Sequence, residues 1–188
     1  MHEIMKLTGH KKERSFAKTL PISNSLKKNN WVHRGPYNVG GRTRAFALDV
    51  LNENILFAGG ASGGMFRSTD AGQSWSMTTH PNQLHNVTCI SQDTRPGKEH
   101  IWYFGSGELT GSSASGGEAY YQGNGIYKSI DGGLSWDSLP VTATNTPQSF
   151  DNNFDFIWNV KTDSSNDTLD VVYAATYGSI YRSQDGGY

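Results

Sequence analysis

The chain has one cysteine in 188 residues, Cys89, which excludes an internal disulfide framework. Cys89 lies in the apolar run Val87-Thr-Cys-Ile90, where a small thiol packs as core. No apolar run is long enough to span a membrane, and residues 1–12 contain none of the kind a signal peptide needs; for an exported protein, the signal is expected upstream of Met1. No segment sustains a helical apolar period. No His/Cys/Asp spacing matches a zinc site, and no glycine-rich stretch has the strand, lysine and helix of a phosphate loop, so no metal and no cofactor is expected. Net charge is only −1, and its distribution speaks against nucleic acid as a partner. Seven Lys/Arg stand against two Glu in residues 1–30, and nine against fifteen acidic side chains after them. A phosphate-binding face needs the opposite bias in the folded region.

What is present is glycine, 22 residues of it, aromatic residues at 12% of the chain, and a phrase written three times. Ser68-Thr-Asp70-Ala-Gly72-Gln-Ser-Trp75 returns as Ser129-Ile-Asp131-Gly-Gly133-Leu-Ser-Trp136 and as Ser183-Gln-Asp185-Gly-Gly187-Tyr188. Each copy follows a similar lead-in: Gly64-Met-Phe-Arg67, Gly125-Ile-Tyr-Lys128 and Gly178-Ser-Ile-Tyr-Arg182. The first serines lie 61 and 54 positions apart, too long for a helical solenoid and suited to a small sheet per unit. Strands are expected at 43–49, 55–59 and 64–68 in the first unit, at 87–91, 101–105 and 125–129 in the second, and at 156–161, 171–175 and 179–183 in the third, with a fourth after the phrase. The fold class is therefore all-β, a β-propeller of four-stranded blades with about three blades present, as a fragment of a larger ring. Residues 1–30, polar and basic and broken by Pro21, are expected to be a lead-in or linker, with the blades in 31–188.

Within the phrase, the aspartate can accept backbone N–H bonds and the glycine supplies a positive φ, so Ser68, Asp70, Gly72, Ser129, Asp131, Gly133, Ser183, Asp185 and Gly187 are expected to be structural. One aspartate per eight residues is too few oxygens for a calcium loop. Trp75 and Trp136 return the chain into the sheet, and with Trp31, Trp102 and Trp158 they are expected in the core. The second unit carries seventeen extra residues, 108–124, rich in Gly and Ser, with Glu108, Glu118, Tyr120 and Tyr121. A long loop on a rigid scaffold is a natural ligand contact.

These three copies resemble Asp-box, or bacterial neuraminidase, repeats. Gly35-Pro-Tyr-Asn-Val-Gly-Gly-Arg42 followed by Ala58-Gly-Gly-Ala-Ser-Gly-Gly64 is similar to the opening blades of the sortilin N-terminal-like family of secreted bacterial proteins, as is Gly105-Ser-Gly-Glu108 followed by Gly123-Asn-Gly-Ile-Tyr-Lys-Ser129. The resemblance covers roughly residues 31–188. It implies a secreted or cell-surface propeller of seven to ten blades, with an extracellular protein, peptide or polysaccharide as partner. Sialidase and xyloglucanase-type propellers share the repeat. The Arg-Ile-Pro signature of sialidases is missing, and Ala61 stands where the xyloglucanase resemblance implies a carboxylate, one of two such an enzyme requires. The expected function is thus non-catalytic binding of protein or glycan through top-face loops, with a glycoside hydrolase of the Asp-box type as the alternative. Glu108 is the one weak catalytic candidate, against its reading as a solvated loop carboxylate. Arg42, Glu108, Glu118, Tyr120 and Tyr121 are the candidate ligand contacts. Arg42 is open to two readings, an anion contact in the central channel or a guanidinium bonded to carbonyls between blades.

Overall fold

Small antiparallel sheets follow one another along the chain, each made from consecutive strands. The computed structural model describes residues 42–112, 118–146 and 148–188, with side chains left undescribed at 110–119. All of these fall within the compact unit Arg34–Tyr188. The lead-in expected at 1–30, and Trp31, lie outside the described residues.

The first sheet is β1 (Thr43–Leu48), β2 (Leu56–Gly60), β3 (Gly64–Ser68) and β4 (Ser76–Met77), in that spatial order. The second is β5 (Val87–Gln92), β6 (Trp102–Ser106), β9 (Ile126–Ser129) and β10 (Asp137–Ser138), and the third is β11 (Ile157–Thr162), β12 (Val172–Thr176) and β13 (Ser179–Ser183). The strands fall where alternating apolar and aromatic residues between Gly/Asp/Asn turns placed them. Between β6 and β9 the chain makes a hairpin, β7 (Glu108–Ser112) with β8 (Glu118–Tyr121). The stretch 108–124 is therefore a two-stranded arm rather than the expected loop.

Inner strands stand side by side, β5 between β1 and β11, and each sheet packs one face on the next. Phe57, Met65 and Ala45 of the first sheet meet Trp102, Phe104, Tyr127 and Trp136 of the second. Tyr103, Ile126 and Cys89 of the second meet Ile157, Val160, Val172 and Ala174 of the third. Burial explains the raised pKa of the Cys89 thiol and removes it from redox chemistry. Of the tryptophans expected in the core, Trp102 and Trp136 are buried there, while Trp75 is only half-buried.

Trp158 corrects the sequence reading outright, being 43% exposed. Its position accounts for this. The first strand of each of the three larger sheets carries a bulge one residue from its start, between Thr43 and Ala45, Val87 and Cys89, and Ile157 and Asn159. The extra residue, Arg44, Thr88 or Trp158, is turned out of the regular alternation.

The repeated turn is organised by its serine rather than by the aspartate alone. Ser68 Oγ accepts N–H bonds from Asp70 (3.3 Å) and Gly72 (2.8 Å) and donates to Asp70 Oδ1 (2.8 Å). Asp70 then accepts from the Ser74 amide (2.8 Å) and hydroxyl (2.6 Å). The second copy repeats every one of these bonds, and the third repeats those around Ser183. The second and third turns also dock on the preceding sheet. Arg67, lying over the Phe57 ring, donates to Gly132 O at 3.1 Å, and Lys128, lying over Tyr103, donates to Gly186 O at 3.1 Å. Glycine is required at 133, where φ is +76° and an added Cβ would lie 2.3 Å from the Phe57 ring.

Hydrogen bonds from the Ser74 hydroxyl and amide and the Ser68 hydroxyl lower the Asp70 pKa from its ordinary 3.8 to about 2. Asp185 is likewise held low, chiefly by Ser183; at Asp131 burial pushes upward, and the bonds from Ser135 and Ser129 outweigh it. A carboxylate with a depressed folded pKa adds stability above its unfolded value and loses it as pH falls through the folded one. Urea midpoints are therefore expected to drop between pH 4 and about 2, more steeply in the native chain than in Asp70→Asn. Equal slopes for the two proteins would refute the role given to Asp70.

Candidate binding face

Antiparallel pairing sets two ends to every sheet. Thr43 pairs with Gly60 and Gly60 with Gly64, so the start of β1, the β2–β3 turn and the connection entering β5 share one edge. The Ser-x-Asp turns lie at the other. The β7–β8 arm rises from the first edge, and with it come the residues the sequence singled out.

Glu108 is fully buried at the base of the arm, not a solvated loop carboxylate. Arg42 donates through Nη2 to its Oε2, and Arg44 Nε lies 3.3 Å from its Oε1. Arg42 thus takes neither position foreseen for it in a simple form: its guanidinium goes to a carboxylate of the adjacent sheet, and its own carbonyl accepts from Ala61 N at 2.9 Å. The bulge at Arg44 aims the second guanidinium at the same carboxylate. The cluster carries two positive charges on one negative, with Arg42 and Arg44 side chains 39% and 35% exposed. Removing both guanidinium groups would leave a buried carboxylate without a counter-charge.

Gly107 fixes the base of the arm. Its φ is +85°, and an added Cβ would fall 1.7 Å from Asp155 O, which also accepts Gly123 N at 2.8 Å. Asp155 is itself locked, its carboxylate accepting the amides of Asp151 and Asn152 just before the third sheet.

Tyr120 and Tyr121 stand on β8, 60% and 42% exposed. With Leu84, His85, Asn86 and Ser62 they line a groove of about 420 Å³. Asn86, buried beneath it, donates to Gln122 O at 2.6 Å, and its Oδ1 has no hydrogen-bond partner among the described residues. Tyr121 sits opposite Glu108 in the arm, so the structure joins Arg42, Glu108 and Tyr121 into one assembly. Glu118 belongs to the same strand, and its side chain lies outside what is described. Sequence reasoning missed His85 and Asn86, which carry no motif, and the pairing of Arg44 and exposure of Trp158, both set by the bulge. Among the described residues no group of three or more His, Cys, Asp or Glu could hold a metal, and no helix is long and apolar enough to cross a membrane.

Consecutive antiparallel sheets around adjoining inner strands define blades of a β-propeller. No family model matches the chain. The xyloglucanase Xgh74A of Acetivibrio thermocellus is 29% identical over 143 residues, covering 66% of this chain and 15% of that protein. Among solved structures, an ancestral GH74 enzyme superposes with a TM-score of 0.54 at 24% identity, over 78% of this chain and 18% of its own. The GH74 xyloglucanase from Xanthomonas campestris gives 0.52 at 20% identity, over 76% and 20%. These likenesses establish the propeller fold, and the chain spans a fifth or less of each relative's length.

Proposed function

We propose that the chain forms the N-terminal blades, 31–188, of a secreted Asp-box propeller of the sortilin N-terminal-like kind, preceded by a lead-in at 1–30. It binds protein or glycan on the face opposite the Asp-box turns and does not hydrolyse it. The observation that carries this reading is the state of Glu108. A general acid or base must reach the bond being cleaved and change its protonation. Glu108 is instead buried, its Oε2 bonded to Arg42 and its Oε1 facing Arg44 at 3.3 Å without a hydrogen bond among the described residues, which suits a strut beneath a binding surface. The surface itself offers what a sugar ring or an extended peptide needs: two exposed tyrosines and a groove beside them, on an arm whose base, at Glu108 opposite Tyr121, is paired with two half-exposed guanidinium groups. Exposed Trp158, at the bulge of the third blade, adds an aromatic contact.

A larger ring is supported by the third blade's outward face. Tyr173 and Arg182 repeat the ring-and-cation pairs Phe57–Arg67 and Tyr103–Lys128 that each receive the next turn, yet Tyr173 is 38% exposed and its neighbour Ile180 78%. The second reading, a glycoside hydrolase, is favoured by the sequence likeness to a xyloglucanase.

A hydrolysis screen on xyloglucan, mixed β-glucans and sialosides, run beside a glycan and peptide array, separates the two. Binding without turnover is expected, with Tyr120→Ala and Tyr121→Ala each weakening it by roughly tenfold. Turnover that Glu108→Gln abolishes in a normally folded protein would establish the hydrolase instead.

A further inference from the structure

Arg95 shows what a purely structural arginine looks like in this protein. It is buried, and its guanidinium donates to both carboxylate oxygens of Asp93, to Asp170, and to the carbonyls of Asn166 and Leu169. A guanidinium carries a fixed set of N–H donors, and here every one is taken. Arg42 and Arg44 are the reverse case. Among the described residues the Arg42 guanidinium bonds to Glu108 alone, and that of Arg44 makes no hydrogen bond, its Nε standing 3.3 Å from Glu108 Oε1. Both side chains are half-exposed, while the carboxylate beneath them is fully buried. One negative charge against two positive ones leaves the pair with a positive charge turned to solvent. The neighbouring groove residues Ser62, His85, Asn86 and Gln122 add polar groups and no acid. This cationic spot is local, since after residue 30 the chain carries nine basic side chains against fifteen acidic ones.

We propose that Arg42 and Arg44 receive the carboxylate of a hexuronate residue in a polysaccharide chain, with the sugar ring stacked on Tyr121. A guanidinium gives a carboxylate two parallel N–H bonds, and the unspent donors of this pair are free to do so. Glu108 and Tyr121 are registered partners across the arm, and facing residues stand about 4.5–5.5 Å apart at Cβ, so a ring on the tyrosine lies within reach of guanidinium groups seated on Glu108. The same edge holds the rest of the site together. The Arg42 carbonyl accepts Ala61 N, one residue before Ser62 of the groove, and the bulge fixes Arg44 beside it. Heads already positioned by Glu108 lose little freedom when a ligand arrives. The lining favours a sugar over a peptide: hydroxyl, imidazole and amide groups beside tyrosine faces suit ring hydroxyls, and Leu84 is the one aliphatic side chain among them. This inference rests on the binding role proposed above and narrows its ligand to an acidic glycan.

The test is a calorimetric titration of the full-length protein with tetramers of galacturonate, glucuronate, mannuronate and guluronate, each beside its methyl ester, which keeps the rings and removes the charge. At least one acid is expected to bind roughly tenfold or more tighter than its ester. That gap should narrow as salt rises from about 50 to about 500 mM. Arg44→Gln, at a side chain whose loss breaks no hydrogen bond, is expected to close most of the gap, whereas Tyr121→Ala weakens acid and ester alike. Equal binding of acid and ester would overturn the proposal and leave the glycan-binding role standing; binding of neither would overturn both. An Arg44→Gln protein that keeps the full gap would remove the arginines from the site. A hexaglutamate peptide that binds as tightly as the best uronate would also overturn the proposal, since the arginines would then read charge without a sugar.

Discussion

Gly107→Ala is expected to be the most damaging single-methyl substitution in the molecule. Two costs combine at this position. An L-residue at φ +85° is strained by about 1–2 kcal/mol. The new Cβ must also displace Asp155 O from 1.7 Å, and Asp155 cannot yield, because its carboxylate holds two amides and its carbonyl holds Gly123. Overpacking a rigid site adds about 1–3 kcal/mol, so a total of about 2–5 kcal/mol is expected, or on the order of 10 °C in Tm for a chain of this size. Gly97→Ala separates the two causes. That glycine has φ +82° and nothing within 4 Å of the added carbon, so only the backbone cost applies. A Gly107→Ala protein melting within a degree or two of Gly97→Ala would show that the contact with Asp155 is not rigid. Because Gly107 also sets the base of the arm, binding on the Tyr120–Tyr121 groove should fall with it even where the protein stays folded.

The blades were legible because their information is local and repeated. A strand, a Ser-x-Asp-x-Gly turn and a tryptophan recur at similar spacing, and the physics of each part is contained within eight residues. Even there the sequence named only one of the turn's two acceptors, since the aspartates do take loop amides. The aspartate invites reading as the centre of the turn, while the buried hydroxyls of Ser68 and Ser129 gather the amides of the loop. The candidate site was legible as a set of residue types and not as an arrangement. Glu108 lies 66 positions from Arg42, and no local pattern shows that a bulge, fixed by pairing with β2, swings Arg44 toward the same carboxylate. The arm was read as a loop because glycine and serine dominate it, whereas Glu108 pairs with Tyr121, Gly111 with Ala119 and Ser112 with Glu118 to make it a hairpin. Trp158 failed for the opposite reason: its composition signal was strong, and a single extra residue in the ladder reversed it.

Trp136→Ala is expected to cost about 3–5 kcal/mol, the range for deleting a fully buried large aromatic side chain. The residue is 2% exposed, and its ring is shared between two blades, so the loss is of both transfer energy and the seam that joins them. Relaxation can recover little, since Phe57 is pinned from the other side by Gly133 and the Arg67 guanidinium, and Phe104 is stacked on Tyr127 at 4.7 Å. Trp75→Ala is the informative companion. It removes the same residue from the same motif one blade earlier, but Trp75 is half-buried and spends its Nε1 on Gly72 O, inside its own turn. Less than half the cost of Trp136→Ala is expected there, read as the difference in urea midpoint at constant slope. Similar costs at the two positions would mean that the tryptophan acts through its turn. A large gap would mean that it acts through the seam, and that what this motif contributes to stability depends on the sheet it is packed against.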